Sequence, residues 1–502
     1  PESDIIFDRT KETAVLRGFM GGDLQGITKK IKEGYFTDLG INAIWVTPVV
    51  EQIQGGTDEG TGYPYGFHGY WTKDWTTLDP NFGNKNDLKE LVQEAHSKGI
   101  RIVMDAVINH TGPVTNQDPV WPESWVRTEP KCEFDSYETA VTCTLVENLP
   151  DILTESDDPV DLPKNLTDKW KKEGRYDQEM TELDEFFART GYPRAPRYYI
   201  IIWLTDYIRE FGIDGYRADT VRHIEESVWA EFKKECDLAF EEYKKQNPDK
   251  VLDDNDFYMV GEVYDYEILS SGKDFDFGDV KVNYYDHGFN SMINFEFKKN
   301  ALEDYESLFS SYSRTFNNPK NGYQVLNYVS SHDDSSPFDK AREKPFESAT
   351  KLLLSPGTAQ WYYGDESART LIVDGTEGDA TLRSLMNWEE IRTDERTQKI
   401  LAHWKKLGTF RNQHPSIGAG QHQMLSTKPY LFKRELTRGS YSDLVIVGLN
   451  LPIGEKNLKI GNTFAEGSSV HDAYSGKIAK VINGELNLDT SFNIVLLEKI
   501  NR

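Results

Sequence analysis

Short apolar runs alternate along the first 110 residues with longer stretches whose apolar residues recur at helical spacing. Residues 41–46 form one such run, which is typical of a strand buried on both faces of a parallel sheet. Residues 87–96 then follow a helical period that ends before Gly99, and residues 102–104 begin the next apolar run. Strand, helix and strand in this order predict βαβ units and a parallel sheet.

The same alternation continues on both sides of this stretch. Upstream, residues 5–7 are a candidate first strand, and Asp23 can cap a helix that carries Leu24, Ile27 and Ile31 on one face. Downstream, the pattern predicts strands at 214–217, 257–261, 323–329 and 358–362, and helices at 199–211, 226–243, 341–354 and 398–411.

Two segments depart from this rhythm. Between residues 111 and 196, Pro, Asp, Glu and Trp are scattered without a period, which indicates a subdomain inserted between a strand and its helix. Cys132 and Cys143 lie close together there and could either close a small disulfide loop or remain free. After about residue 415, period-two strands with Gly, Asn and Asp turns, as at 444–449 and 492–497, predict a small antiparallel β-domain.

These patterns predict an α/β fold: a (β/α)8 TIM barrel with an inserted subdomain after the third strand and a C-terminal antiparallel β-domain. A barrel of this kind takes about 250 residues, and the chain of 502 residues leaves room for both additions. We assign residues 1–110 and 197–414 to the barrel, 111–196 to the inserted domain, and 415–502 to a C-terminal β-sandwich domain.

The charge balance narrows the class of partner. A formal net charge of −26 argues against nucleic acid or an anionic membrane as a partner, because both bind proteins through basic patches. No apolar run approaches the roughly 20 residues of a membrane span. Cys236 reads as a lone thiol in a charged helix, and the chain starts at Pro1 without an initiator Met, as a processed secreted protein would. We expect a secreted or periplasmic monomer.

The candidate chemistry starts in residues 212–223, where Arg217 precedes Asp219 by two positions. In a strand, that spacing places both side chains on one face. A guanidinium beside a carboxylate favours its ionised form and fixes its orientation, which a carboxylate nucleophile needs. An ordinary ion pair at a strand end is the alternative, and the other polar stretches decide against it.

Those other stretches also follow predicted strands, at the end where barrel enzymes place their sites. They contain Asp105, Asn109 and His110 after one strand, Glu262 after another, and His332 and Asp333 after a third. Acids on three strand ends, with His and Arg among them, suit glycoside hydrolysis. That reaction needs one ionised carboxylate and one carboxylic acid of raised pKa.

At this point the chain resembles glycoside hydrolase family 13, the α-amylase family. The motifs occur in the family's order and cover nearly all of the barrel and the insertion: Asp-Ala-Val-Ile-Asn-His at 105–110, Gly-Tyr-Arg-Ala-Asp at 215–219, Gly-Glu-Val at 261–263 and Ser-His-Asp at 331–333. Phe-His-Gly-Tyr-Trp at 67–71 and Leu-Pro-Asp at 149–151 match two further family stretches. Residues 21–24, 72–75, 149–156, 363–367 and 414–418 resemble the periplasmic α-amylases of Gram-negative bacteria most closely.

The resemblance implies a role for each acid. Asp219 would be the nucleophile that forms a covalent glycosyl-enzyme ester. Glu262 would be the general acid and then the base, and Asp333 would stabilise the oxocarbenium-like transition state. Such a retaining mechanism predicts that the nucleophile and acid/base carboxyls lie about 5–5.5 Å apart.

The resemblance also implies a set of substrate-binding residues. Arg217 would orient Asp219, His110 and His332 would bind hydroxyls of the scissile sugar, and Tyr70 would stack on its apolar face. Two further assignments stay open. Asp379 and Arg383 either bind the next sugar outward or form a salt bridge at helical spacing, and Trp71 is either a further stacking face or part of the core. Arg222 stands where many α-amylases carry Lys, which leaves the leaving-group side of the cleft undetermined.

A calcium ion is implied in the same way. In the family, residues matching Asn109, Asp151 and the backbone carbonyl of His223 hold Ca²⁺ between barrel and insertion, and oxygen ligands from separate loops suit this ion. Glu138 is a weaker candidate for an additional ligand. The chloride of some relatives needs an Asn just before His332, where this chain has Ser331, so no chloride is expected.

The leading hypothesis is endo-hydrolysis of α-1,4 bonds in starch, glycogen or maltodextrins by a glycoside hydrolase. Leu-Pro-Asp at 149–151 and Thr220 after the nucleophile resemble the α-1,4-specific rather than the α-1,6-specific relatives. A maltooligosaccharide-forming maltodextrinase or transglycosylase is the enzymatic alternative. A non-catalytic sugar-binding or partner protein is the alternative from another class, and the retention of Asp219, Glu262 and Asp333 argues against it.

Overall fold

The fold is described by a computed structural model that covers residues 15–58, 63–318, 323–376 and 378–500. The predicted first strand at 5–7 lies outside these residues. Within them, seven parallel strands form one sheet whose spatial order follows the chain order. The strands are β1 (Ala43–Val46), β2 (Arg101–Ala106), β3 (Gly215–Ala218), β4 (Tyr258–Gly261), β5 (Ser291–Asn294), β6 (Val325–Asn327) and β7 (Thr358–Ala359).

Helices follow the strands and share one apolar core with them. The longer ones are α1 (Leu24–Lys32), α2 (Lys85–Ser97), α3 (Lys164–Glu173), α4 (Tyr176–Thr190), α5 (Pro196–Phe211), α6 (Glu226–Gln246), α7 (Tyr305–Phe316), α8 (Pro345–Leu353) and α9 (Glu395–Gln413). The predicted cap of α1 is confirmed, because the Asp23 side chain accepts a hydrogen bond from the Gly26 N–H. At the start of α2, Asn84 forms a capping box that was not predicted from the sequence.

Strand β5 was not predicted from the sequence, because polar Ser291 and Asn294 interrupt its apolar pattern. Both residues are nonetheless buried. The Asn294 amide donates to the Asn327 side-chain oxygen on the neighbouring strand and to the Tyr312 hydroxyl on α7. A polar side chain whose partners come from neighbouring elements can be buried at little cost, and those partners cannot be read from the local sequence.

The segment between β2 and α5 contains the antiparallel pair Val126–Arg127 and Asp151–Ile152, a short helix Glu138–Val141, and helices α3 and α4. Counting the predicted strand at 5–7, β2 is the third strand, which is where the sequence pattern placed the insertion. Cys132 and Cys143 are joined by a disulfide, which resolves the alternative that the sequence left open. Cys236 is a buried free thiol in α6.

The C-terminal part is antiparallel. Its strands are β8 (Gln421–Thr427), β9 (Tyr430–Arg438), β10 (Tyr441–Leu449), β11 (Gly454–Lys459), β12 (Ser469–Asp472), β13 (Lys477–Lys480), β14 (Glu485–Thr490) and β15 (Val495–Lys499). β11 pairs with β14, and the other strands form a six-stranded sheet. The predicted strands at 444–449 and 492–497 correspond to β10 and β15.

A buried arginine connects this sheet to the barrel. Arg434 on β9 is fully buried and donates to the carbonyls of Ile417 (2.7 Å) and Leu354 (3.1 Å) and to the His422 ring (2.9 Å). Leu354 follows α8, so the contact ties the β-domain to a barrel helix.

Over the residues that the structure describes, we find no helix that combines the length and the apolar character needed to cross a bilayer.

Candidate active site

The register of β3 and β4 brings two of the predicted acids to one edge of the sheet. Ala218 on β3 is paired with Gly261 on β4, so the residues that follow them, Asp219 and Glu262, leave the sheet at the same level. Each is held by a backbone hydrogen bond to the neighbouring strand: the Asp219 N–H donates to the Ala106 carbonyl (3.0 Å), and the Glu262 N–H to the Ala218 carbonyl (3.0 Å).

One guanidinium contacts both acids. Arg217 Nη1 lies 2.6 Å from Asp219 Oδ1, and Arg217 Nη2 lies 2.6 Å from Glu262 Oε1. Because both nitrogens belong to the same planar group, the two carboxyls are close neighbours. The separation of about 5–5.5 Å expected for a retaining pair stays a prediction. All three side chains are at most 10% exposed, so water screens these contacts weakly.

Asp105 completes the support of Arg217. It lies directly opposite Arg217 in the register of β2 and β3, and its Oδ1 accepts a hydrogen bond from Arg217 Nη1 (3.0 Å). The Tyr70 hydroxyl (2.7 Å) and the Trp45 indole N–H (3.1 Å) donate to Asp105 Oδ2. Burial raises the pKa of Asp105 to about 7, against the opposing effect of Arg217. The sequence marked Asp105 as a strand-end acid without giving it this role, because the register of two strands distant in the chain was needed to see it.

The environment of Glu262 favours its protonated form. Burial raises its pKa well above the ordinary value for a glutamate, the nearby Asp219 and Asp333 carboxylates add to this effect, and Arg217 opposes it. The Thr220 N–H donates to Glu262 Oε2 (3.0 Å) and fixes the orientation of the carboxyl group. A buried carboxyl that keeps its proton at neutral pH can act as a general acid.

Asp333 has the opposite character. Its side chain is 39% exposed, against 8% for Asp219 and 10% for Glu262, so it is the most accessible of the three acids. Burial opposes its ionisation, but His332, Arg217 and a hydrogen bond from the Ser331 hydroxyl (2.8 Å) hold its pKa at about 2. Burial lowers the pKa of His332 to about 4, so that ring is neutral at pH 7. The charges of Arg217 and Arg383 and the Ser331 hydrogen bond still favour ionised Asp333 at that pH.

The aromatic residues predicted to contact the sugar lie around this centre. The Tyr70 and His332 rings are stacked with centroids 5.5 Å apart, and the Tyr70 hydroxyl is 3.1 Å from His332 Nε2. His110 is buried, with Nε2 3.1 Å from the Tyr70 carbonyl and Nδ1 without a protein partner among the described residues. Trp71 is 9% exposed and packs with Ile53 and Leu149, so it offers little surface to a ligand.

Asp379 and Arg383 form the ion pair that their spacing allows. Arg383 Nε and Nη2 lie 3.1 Å and 2.9 Å from Asp379 Oδ2, and Arg17 Nη2 lies 3.3 Å from Asp379 Oδ1. About a third of the Asp379 side chain remains exposed, while Arg383 is largely buried over the Phe67 ring. The ion pair therefore exists, and the exposed edge of Asp379 remains accessible to a ligand.

The predicted calcium ligands Asn109 and Asp151 are brought together by the backbone. The Ile152 N–H donates to the Asn109 carbonyl (2.7 Å), and His110 forms a β-bridge with Asp151. Both side-chain polar atoms of Asn109 and Oδ1 of Asp151 are buried and have no hydrogen-bond partner within the described residues. Unpaired buried oxygens on two segments joined by backbone hydrogen bonds fit an oxygen-ligated cation.

Arg127, His223 and Glu138 are the further residues to consider at this candidate calcium site. Asp151 Oδ2 lies 2.9 Å from Arg127 Nε, so this oxygen already has a positively charged neighbour. His223 lies in the turn Val221–His223, and its ring Nδ1 is 3.0 Å from the Ala140 carbonyl of the insertion. Glu138 begins the short helix Glu138–Val141.

Comparison with known proteins agrees with this geometry. The sequence model of the α-amylase catalytic domain matches residues 4–413. The periplasmic α-amylase of Escherichia coli (strain K12) is 34% identical over 496 residues, covering 87% of this chain and 68% of that protein. The cyclomaltodextrin glucanotransferase of Geobacillus stearothermophilus is 25% identical, and the chain spans 61% of its length.

The solved structures show the same fold. The α-amylase of Geobacillus thermoleovorans, determined in complex with acarbose, superposes with a TM-score of 0.68 at 21% identity, covering 99% of this chain and 97% of that one. Together with the parallel sheet and the antiparallel C-terminal strands, this establishes a TIM barrel followed by a C-terminal β-domain. On the match to the catalytic-domain model and the identity to the periplasmic enzyme, the chain belongs to the α-amylase family of glycoside hydrolases.

Proposed function

We propose that the protein is an α-amylase that hydrolyses internal α-1,4-glucosidic bonds of starch, glycogen or maltodextrins with retention of the anomeric configuration. The observation that carries this proposal is the pair of carboxyls, Asp219 and Glu262, held by the single guanidinium of Arg217. Their neighbour Asp333 is ionised, and Glu262 is biased toward its protonated form.

In the first half-reaction, Glu262 donates its proton to the glycosidic oxygen while an Asp219 carboxylate oxygen attacks the anomeric carbon. The bond to the leaving chain breaks, and an ester forms between Asp219 and the sugar. Arg217 already holds Asp219 Oδ1, so Oδ2 is the oxygen offered to the substrate. Positive charge that develops on the sugar ring is stabilised by the ionised, accessible Asp333.

In the second half-reaction, the Glu262 carboxylate removes a proton from an incoming water, whose oxygen attacks the same carbon. The ester breaks, Asp219 is restored as a carboxylate, and the proton returns Glu262 to its acid form. Two inversions at one carbon give net retention. In this mechanism Tyr70 and the neutral ring of His332 would contact the sugar that reacts, and Asp379 with Arg383 would contact the next sugar outward; the Tyr70–His332 stack and the Asp379–Arg383 pair support these roles.

Product analysis tests the proposal. Maltoheptaose and soluble starch are incubated with the enzyme, products are separated by chromatography, and the anomeric form of the first products is read by proton NMR. We expect early mid-sized oligosaccharides from starch and α-anomers. Release of glucose or maltose alone from chain ends, or of β-anomers, would contradict endo-acting retention.

The relatives also favour a second candidate function of the same class. Several are cyclomaltodextrin glucanotransferases, with 24% to 25% identity to this chain. A transglycosylase of that kind would pass the sugar from the ester to another saccharide rather than to water. A maltooligosaccharide-forming maltodextrinase would still pass it to water and would release short maltooligosaccharides. The same chromatograms distinguish them, because transfer yields products longer than maltoheptaose or cyclic products.

A periplasmic or extracellular location is part of the proposal. The E. coli relative is named as a periplasmic enzyme. The Cys132–Cys143 disulfide supports the same location, because such bonds persist in oxidising compartments.

A structural calcium ion is proposed at Asn109, Asp151 and the His223 carbonyl, supported by the unpaired buried oxygens of the first two residues. Bound there, the ion would tie the insertion to the barrel. Because a ligand that binds only the folded state stabilises it by about 2.7 kcal/mol at a hundred times its dissociation constant, calcium should raise the thermal unfolding midpoint of chelator-treated protein by several degrees. Asn109→Ala should remove that response.

Calcium titration into Asp168→Asn, an exposed acid on α3, is the matched control and should give the wild-type shift. If neither chelator nor calcium changes the unfolding midpoint of the wild-type protein, the proposed calcium site is contradicted.

A further inference from the structure

Arg222 lies in the turn Val221–His223, close in the chain to Asp219, and contacts several aromatic rings. Its guanidinium lies over three aromatic rings at once, at 5.1 Å from the Phe134 centroid, 5.2 Å from Tyr264 and 5.8 Å from Phe275. Phe134 and Tyr264 are 46% and 52% exposed, whereas Phe275 packs against the main apolar core, so the cluster reaches from the core to the surface.

The cluster connects two segments that are far apart in the chain. Tyr264 lies two residues after Glu262, and Arg222 Nη1 also donates to the Tyr264 carbonyl (3.3 Å). The turn that carries Arg222 is bound to Glu262 itself, through the Thr220 N–H to Oε2 (3.0 Å) and the Val221 N–H to the Glu262 carbonyl (2.9 Å). Arg222 therefore lies between the catalytic acid and the inserted domain.

On the insertion side, Phe134 is held in place by a short closed loop. It lies between Cys132 and Cys143, and its φ of 59° is in the left-handed region. A bulky residue keeps that conformation only where its surroundings impose it. The Phe134 ring also meets the His223 ring edge-on at 5.5 Å, and the Ala140 carbonyl of the same loop faces His223 Nδ1 at 3.0 Å.

We propose that Arg222 is a positioning residue, which clamps the disulfide loop through Phe134 onto the segment that carries Glu262 and so fixes the catalytic acid for protonating a sugar leaving group. The proposal rests on the proposed function, since it assigns a role toward the same acid. It also accounts for an arginine here, because a planar guanidinium stacks on several rings and still donates in its plane, which a lysine ammonium does not.

The test compares two substrates that differ in their need for the acid. Maltoheptaose needs its leaving oxygen protonated, whereas 2-chloro-4-nitrophenyl maltotrioside has a leaving group that departs with little help. Arg222→Met should lower kcat on maltoheptaose on the order of ten- to a hundredfold, as expected for a displaced catalytic group. Its first-turnover rate of phenolate release from the aryl substrate should stay within about twofold, since the nucleophile and the sugar site are untouched and this step needs little help from the acid.

Phe134→Leu should also lower kcat on maltoheptaose selectively, because it removes the aromatic ring that Arg222 contacts in the disulfide loop. The double variant should be no worse than Arg222→Met, since residues acting as one unit are non-additive. Arg222→Lys should not restore kcat, and the alkaline limb of the pH profile should shift in Arg222→Met. Arg194→Met, which removes a guanidinium 4.7 Å from the Phe187 ring in the insertion, is the matched control and should behave as wild type.

Several outcomes would overturn the clamp. Equal losses on both substrates, multiplicative losses in the double variant, or a rise in KM on maltoheptaose at unchanged kcat would each assign Arg222 to packing or to direct sugar binding. Wild-type protein that hydrolyses neither substrate would instead refute the proposed function.

Discussion

Asp219→Asn is expected to lower kcat on maltoheptaose by a factor on the order of 10⁴ to 10⁶, the size of loss seen when an enzyme loses its nucleophile. The amide cannot form the glycosyl ester, and Glu262, bound by Arg217 Nη2, serves as the acid in the same step. The fold should survive, because the Asn oxygen can still accept the hydrogen bond from Arg217 Nη1.

Initial rates and calorimetric binding of maltoheptaose check this prediction together. The Kd for maltoheptaose should stay within a few-fold of the wild-type value, which shows that the variant has lost the reaction and not the fold. Asp237→Asn makes the same chemical change at a carboxylate paired with Lys233 on α6 and should leave kcat unchanged. Turnover by Asp219→Asn at more than a hundredth of the wild-type rate would refute its role as the nucleophile.

Glu262→Gln is expected to lower kcat on maltoheptaose by about 10²- to 10⁴-fold, the usual contribution of a general acid or base. The loss should be smaller for the first step on 2-chloro-4-nitrophenyl maltotrioside, since that leaving group needs no proton. Without the base, the ester should then accumulate, so a burst of phenolate followed by slow turnover is expected. Mass spectrometry of the trapped protein should find the added maltotriosyl group.

The pH dependence follows from the same residue. Because the pKa of Glu262 is raised, its acid form persists to higher pH than that of an ordinary glutamate, and wild-type kcat/KM should fall as the pH rises through that pKa. Glu262→Gln should lose this alkaline limb and become flat there. Glu235→Gln, at a buried glutamate paired with Arg189 outside the site, is the control and should keep it. An unchanged alkaline limb in Glu262→Gln would assign that limb to another group.

Much of this site could be predicted from the sequence because its residues follow strands. Alternation of short apolar runs and helical stretches located the strands, and parallel strands present their ends at one edge, so Asp219, Glu262 and Asp333 were expected there together. The motif resemblance then supplied the roles. The start of a helix was also predictable where a side chain caps the backbone locally, as Asp23 does for α1.

What the sequence could not supply depends on partners distant in the chain. The position of Asp105 opposite Arg217 needed the strand register, and the burial of Asn294 needed the Asn327 and Tyr312 side chains. The cluster around Arg222 needed a disulfide that the sequence left undecided. Each of these contacts contributes to stability only after the barrel has brought its partners together. The local sequence pattern therefore does not predict it.

The buried position of Arg434 has a consequence for chimaeras made from this enzyme and its relatives. The guanidinium of Arg434 is buried, and its partners are two carbonyls and an imidazole. If the segment after α8 or the His422 strand is exchanged for one of different shape, this charge loses its partners and destabilises the fold. Chimaeras should therefore inherit Leu354, Ile417, His422 and Arg434 from one parent. Crossovers that divide this quartet should yield insoluble protein even when every residue of the catalytic cleft is retained.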